Sequence, residues 1–503
     1  VTASQTDGST PAEASSETTI SEDLLDTPEA GGLVIRGGAL RLASYVSVVA
    51  LSALSAALLT RHLGKVRFGE YTTVISLVSV ISSITDAGMS ALGTREYTMR
   101  SGASRDELMR DLLGLRITLT LVGVVLATAF GIAAGYAPAL LAGTVIASLS
   151  VVALVIQHTF SIPLTTSLRM GFLSALEIAR QAATVVLFVV LIELKAGVLP
   201  LLAVTLAVNL MLIPPTAMVV RGQISMRIGV HLRRWLSLLR LTVTFSLASA
   251  ANTIYLYAAQ ILTSLIASGN QSGVFAASFR VFIVTAMVPG TLVVIALPVF
   301  ARAARDDPER LRYGLQRTFD VSVIIGAAAA LGIITGARFI IAVVAGPHYA
   351  AAAGALRIEG LALFASFVLA GWGMGLVSLH RHRELLFSNL VALVVSATLT
   401  ILLARADGAR GAALASACGE AVLAILYLAG LVHSDSRLRP QLGVAAKALL
   451  ATAPAIAIWL AFDLPSVLQP LVSLALFSIG ILALKALPTE LWELLPGRLR
   501  RAH

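Results

Sequence analysis

Residues 198–220 read VLPLLAVTLAVNLMLIPPTAMVV, and residues 221–240, which follow directly, read RGQISMRIGVHLRRWLSLLR. The first string carries no charge, and as a helix it reaches about 34 Å, enough to cross the ~30 Å hydrocarbon core of a bilayer. The second holds Arg221, Arg227, Arg233, Arg234 and Arg240 and no acid, which marks the cytoplasmic side of a membrane. An uncharged span closed by a basic loop is therefore the unit from which the rest of the chain is read.

The unit recurs in both directions. Apolar segments run over 39–60, 71–94, 112–135, 138–160, 172–194, 198–220, 238–267, 274–299, 318–345, 355–379, 385–404, 410–432, 444–462 and 467–487. With 57% hydrophobic side chains, 13% charged and a mean hydropathy of +0.88, the chain departs far from soluble domains, where about a quarter of residues are charged. The fold class expected is an all-α polytopic membrane protein of about fourteen transmembrane helices. Leu, Ala and Gly dominate the spans, as suits helices that approach closely through small residues. A β-barrel would show short alternating segments instead.

Charge sorts by side. Of the 37 Lys and Arg, only Arg61, Lys65, Arg67, Lys195, Arg405 and Arg410 fall on one side. Arg180, Arg280, Arg338 and Arg357 lie in or at the edges of spans, and all the others, Arg41 and Arg116 among them, fall on the opposite side. By the positive-inside rule that side is cytoplasmic and holds both termini. The net charge of +10 is thus a topogenic signal, and no nucleic-acid partner is expected. Residues 1–30 have seven acids and no Lys or Arg, the composition of a disordered cytoplasmic tail, while residues 488–503 form a basic one. In 221–240 and 301–317, apolar residues alternate with arginine, which predicts amphipathic helices lying in the interface.

A weak repeat links two outer hairpins, Gly64-Lys65-Val66-Arg67-Phe68-Gly69-Glu70-Tyr71 and Gly269-Asn270-Gln271-Ser272-Gly273-Val274-Phe275. Each turns on two glycines and re-enters the membrane with an aromatic two residues after the second. Recurrence six spans later predicts two similarly oriented six-helix halves, a transporter trait that puts the substrate between them. The divisions expected are an N-lobe over 31–220, an amphipathic linker over 221–240, a C-lobe over 241–432 and two extra spans over 433–487.

Several chemistries are excluded. None of the four lysines is followed by Ser or Thr, so no Walker-type phosphate loop exists to hold ATP. There is no HExxH, His380 and His382 sit in a basic turn with Arg381 and Arg383, and the lone Cys418 supports neither a disulfide framework nor a thiolate metal site. No cofactor, metal or catalytic residue is expected. The outer loops are too short for an extracytoplasmic catalytic domain, which weighs against a membrane glycan ligase or polymerase.

Charges inside spans carry the functional information, because each costs about 2.5–3.5 kcal/mol at a helix centre. Arg280 stands among Phe279, Val281, Phe282 and Ile283 with no acid within a helical turn; it serves either an anion-binding cavity or an inter-helix ion pair. Arg41 sits where it can snorkel. Glu177 and Arg180 are three apart and can pair on one helix face. Arg357 and Glu359, two apart, do not share a face but can reach other helices. Asp86 and Glu420 are candidate proton or cation sites, or acid partners for a cavity arginine.

The string Leu63 to Tyr71, followed by Asp86-Ala87-Gly88-Met89 and Thr94-Arg95-Glu96, resembles the first two spans of the polysaccharide transporter family, the Wzx-like flippases of lipid-linked oligosaccharides. Gly273 to Arg280 with Pro298, Tyr349 to Arg357, and Gly408 to Ala415 extend the likeness over nearly the whole membrane region. Relatives in the multidrug, oligosaccharidyl-lipid and polysaccharide exporter superfamily imply two six-helix lobes around a cavity that opens alternately to each side. The resemblance implies outward movement of a polyprenyl-diphosphate-linked oligosaccharide across the cytoplasmic membrane, with membrane lipid, glycosyltransferases and a polysaccharide polymerase as partners. Arg280, Arg41, Arg180 and Arg357 are the expected anion-binding residues. The alternatives are a lipid II-type flippase and a cation-coupled multidrug exporter, the latter predicting an acidic cavity. Where the family often has an acid in span 7, this chain has Asn252 and Gln260.

Overall fold

A computed structural model describes residues 28–86, 88–167, 169–222 and 227–487. Of the acidic tail expected over 1–30, residues 1–27 lie outside the described residues and 28–30 open the first helix; the basic tail 488–503 also lies outside them. Fourteen helices follow in order: α1 (Pro28–Asp86), α2 (Met89–Met99), α3 (Gly102–Ala133), α4 (Pro138–Phe160), α5 (Ile162–Thr166), α6 (Met170–Glu193), α7 (Val198–Val220), α8 (Leu232–Ile266), α9 (Gly269–Asp306), α10 (Pro308–Val344), α11 (Ala352–Ser378), α12 (His382–Ser434), α13 (Gly443–Ala461) and α14 (Leu468–Ala483). No β-strand occurs among the described residues.

Helices and spans do not map one to one. The 59-residue α1 would measure about 88 Å if straight, so it has to bend, and it does so at Gly64 (φ 70°, ψ 175°). Its two limbs are the first two spans. The 53-residue α12 likewise breaks at Asp407 and Gly408, where φ is −129° and 53°. Ten helices, α1 and α12 among them, are long and apolar enough to cross a membrane. Counting both limbs of those two and adding α8 and the short α14 recovers the fourteen apolar segments. Segment 71–94 is cut earlier than its hydropathy suggests, because Gly88 adopts a left-handed conformation (φ 68°) and starts the separate α2.

The Arg-interleaved stretches differ from expectation. Residues 232–240 are the first turns of α8, and 301–306 and 308–317 are the end of α9 and the start of α10. Their apolar and basic alternation belongs to the ends of long helices, not to separate short ones. The loop before α8 docks on the basic end of α3: the Gly229 N–H donates to the Arg110 carbonyl at 3.0 Å, His231 meets Asp111 at 2.7 Å, and Arg234 pairs with Glu107 and Asp111.

Two lobes form. In the first, α4 packs on α3 and α7, and α1 on α6; in the second, α8, α10 and α9 pack around α11 and α12. The pair α13–α14 rests on α10. Close approach relies on small residues: Ala355, Ala362, Ala412, Ala413 and Ala415 have no exposed surface. The lobes meet mainly where α1 touches α8 and α9.

That contact contains the repeated hairpins. Gly69 and Gly273 face each other so closely that a Cβ on Gly69 would stand 3.0 Å from the Gly273 nitrogen, and one on Gly273 would overlap the Lys65 carbonyl oxygen. Around them Gln260 donates to Thr73 and Ser272 at 3.3 and 3.4 Å, and Thr60 to the Val344 carbonyl at 2.9 Å. The Ala409 N–H, beside the break in α12, donates to Gln271 Oε1 at 3.0 Å, and Arg61 holds the Val343 carbonyl at 2.6 Å. This seam closes the inter-lobe space at the hairpin end.

Candidate functional site

Beneath the seam lies a cavity of about 800 Å³. Both limbs of α1 line it, through Ser55 and Tyr71 to Asp86, together with α3, α4, α6, α7, α8 and α9. Three arginines from three helices stand in its wall: Arg116 of α3, Arg180 of α6 and Arg280 of α9. Asp86 is the one carboxylate among the lining residues.

Each arginine is held differently. Arg280 is half-buried and donates to the Ser52 hydroxyl at 2.9 Å. Among the described residues no carboxylate comes within ion-pair distance of it, so the inter-helix ion pair that the sequence left open is not made. Arg180 donates to Gln157 Oε1 at 2.5 Å and keeps the expected pair with Glu177, at 3.4 Å. Arg116 is 1% exposed; its Nη2 meets Asp86 at 2.5 Å and Ser90 at 3.0 Å, while Nε and Nη1 are buried with no hydrogen-bond partner. Ser90 also donates to Asp86 at 2.7 Å. Of the two roles considered for Asp86, its geometry is that of an acid partner for a cavity arginine.

The other expected residues sit apart. Arg357 is not among the residues lining the cavity: its guanidinium, on α11, lies 5.2 Å from the ring centroid of Trp459 on α13, within cation–π range. Arg41 belongs to α1, but its side chain is outside what is described. Glu420 is in the second lobe, 4% exposed, accepting from Ser366 at 2.9 Å in the wall of a separate cavity of about 390 Å³ with Asn252 and Tyr255. Beside it, Glu359 is fully buried, next to the Ser416 hydroxyl.

Sequence reasoning missed Arg116 and His158, both in the cavity wall. Arg116 could have been found, since Leu115 and Ile117 flank it inside an apolar segment as Phe279 and Val281 flank Arg280. Counted by side, it falls with Arg105 and Arg110 in the cytoplasmic set. His158 gave no signal beyond its position in a span.

An arrangement of several guanidinium groups around a water-sized to lipid-headgroup-sized space suits a phosphate-bearing ligand, because planar paired donors match phosphate oxygens. Solved structures share the fold. A lipid II flippase, MurJ, in an inward closed conformation superposes with a TM-score of 0.72 at 12% identity, over 89% of this chain and 98% of that one. A multidrug resistance MATE family transporter in an inward-facing conformation gives 0.62 at 14% identity, over 79% and 97%. A transporter of the same MOP superfamily from Pyrococcus furiosus, described as having a binding pocket of reverse polarity, gives 0.52 at 14% identity, over 78% and 95%. No curated protein matches by sequence. The family model described as "Polysaccharide biosynthesis protein" matches residues 58–354, more than half of the chain, and the protein accordingly belongs to that family.

Proposed function

We propose that the protein is a flippase that carries a polyprenyl-diphosphate-linked oligosaccharide outward across the cytoplasmic membrane, with both termini in the cytoplasm, in cell-surface polysaccharide assembly. The observation that carries this reading is Arg280: a guanidinium in a polar inter-lobe cavity, bonded to a serine and to no acid. Such a group costs energy inside a membrane protein unless a ligand completes it. The diphosphate binds to Arg280 and Arg180, the prenyl chain stays in lipid, and opening the hairpin seam releases the glycan on the far side. Glu420, with Glu359 beside it, takes the coupling ion, and Asp86 serves Arg116 and not the ion. Glycosyltransferases and a polysaccharide polymerase supply and consume the substrate.

Substitution tests this directly. In Arg280→Ala, folding in detergent stays near wild type and flipping of a fluorescent lipid-linked oligosaccharide in liposomes is lost; Arg280→Lys restores part of it, since an ammonium lacks the planar fork. Wild-type flipping by a folded Arg280→Ala protein removes this residue from the mechanism. One observation favours a cation-coupled exporter of small molecules, namely the carboxylates next to the smaller C-lobe cavity. Cation-driven efflux of a dye by the purified protein, undiminished in Arg280→Ala, supports that second reading.

A further inference from the structure

The main cavity does not end at its arginines. A second compartment of about 510 Å³ adjoins it, and the two share Ser90 and His158 in their walls. The volume lies within the range of about 300–1,000 Å³ usual for small-ligand sites. Its walls come from the first limb of α1, α2, α4, α5 and α6.

The chemistry of the two compartments differs sharply. Among the described residues, none of those lining the second is Arg or Lys. What it offers are hydroxyls, among them Tyr45, Thr94, Thr165 and Ser174, and the carboxylate of Glu177. Gln157 and Arg180 form the divide: Arg180 lines the first compartment and bonds to Gln157 and Glu177 of the second, at 2.5 and 3.4 Å. Two of the hydroxyls there, on Ser44 and Tyr45, are buried with no hydrogen-bond partner. A buried hydroxyl without a partner costs about 1–3 kcal/mol, and a ligand rich in hydroxyls removes that cost. An aromatic ring beside hydroxyl, amide, imidazole and carboxylate groups recognises sugars, whose hydroxyls both donate and accept and whose C–H faces lie on the ring.

We infer that this compartment is a sugar subsite, which holds the first sugars of the glycan while the arginines hold the diphosphate. The inference rests on the anion reading of the main cavity and adds the element that selects the glycan. A sugar attached to a diphosphate in the first compartment reaches the second past Ser90 and His158.

The test uses the full chain in nanodiscs and two probes, farnesyl diphosphate and farnesyl-diphosphate-linked N-acetylglucosamine. Ser174→Trp and Thr165→Trp fill the second compartment. Each is expected to leave the affinity for farnesyl diphosphate unchanged and to weaken the glycosylated probe at least about tenfold, equivalent to about 1.4 kcal/mol, while Arg280→Ala weakens both. Equal loss for both probes, or no loss for either, overturns the sugar subsite. Equal binding of the two probes by wild type overturns it too, whereas wild type that binds neither refutes the underlying anion reading. Should the tryptophans prevent folding, Ser174→Cys in a Cys418→Ala background is alkylated instead. Protection by the glycosylated probe alone upholds the subsite, and equal protection, or none, by both probes overturns it.

Discussion

The two lobes repeat one architecture and invert its charge. In the first, ionisable groups line a cavity: Arg116, Arg180 and, from across the interface, Arg280 stand in the wall, and Asp86 neutralises one of them. In the second, the carboxylates Glu359 and Glu420 are buried together between α11, α12 and α8, with serine and tyrosine hydroxyls for company, and Asp320 of α10, also buried, pairs with Arg317. A fold built of two like halves therefore does not imply two like sites. Position in the fold sets where a charge can be reached, and the residue type decides what reaches it.

The most damaging change expected on this comparison is Asp86→Ala. It leaves the Arg116 guanidinium buried with Ser90 alone, which costs about 3–5 kcal/mol and shows as a lower melting temperature in detergent. Arg116→Met costs less, because the remaining Asp86 side chain is 34% exposed and keeps its hydration; equal losses in the two variants contradict a water-accessible cavity wall on the first lobe. Next comes Gly273→Ala. Its methyl meets the Lys65 carbonyl, so the seam has to part at a cost of about 1–3 kcal/mol, and spin labels at Arg67 and Asn270 report a longer distance. An unchanged distance means that the hairpins are not the closure.

In the second lobe the sign reverses. Glu359→Met removes a buried carboxyl that faces a second carboxyl, Glu420, at similar volume and is expected to leave stability unchanged or raise it by about 1–3 kcal/mol. Transport falls nonetheless if the acid couples an ion, so a more stable and less active protein separates the lobes by role. A loss of stability places Glu359 among structural groups. The last change is Gly64→Ala: space is open there, and only the backbone, with φ 70° and ψ 175° in a region that glycine alone occupies readily, opposes a side chain, at about 1–3 kcal/mol. Its ratio to Gly273→Ala compares a glycine needed for backbone shape with one needed for contact.

Much of this was legible in the sequence. Hydropathy marked the fourteen segments, because a span is a local property of about 20 residues, and the paired glycine hairpins pointed to two halves. Arg280 stood out for want of a nearby acid. The errors have one cause, that contacts between distant helices leave no local trace. Arg116 counts with the cytoplasmic arginines because Arg105 and Arg110 precede it, and only the fold brings Asp86, thirty residues away, against it. Arg357 looked equivalent to Arg280, yet Trp459, on a helix from outside both lobes, claims it. Nor could the two hairpins be known to touch each other, although the small residues that allow it were visible.

The make-up of the seam has an electrical consequence. At its centre are glycine backbone, serine, threonine and glutamine, while the charged side chains of the hairpin, Arg61, Lys65, Arg67 and Glu70, are none of them buried. The membrane potential does work on moving charge, about 2.3 kcal/mol per elementary charge across 100 mV, and a seam whose buried centre is uncharged gives it little to pull on there. A voltage dependence of transport would then have to enter lower down, through the arginines and the anion they carry, and gating at the hairpins would respond to cargo and not to the field.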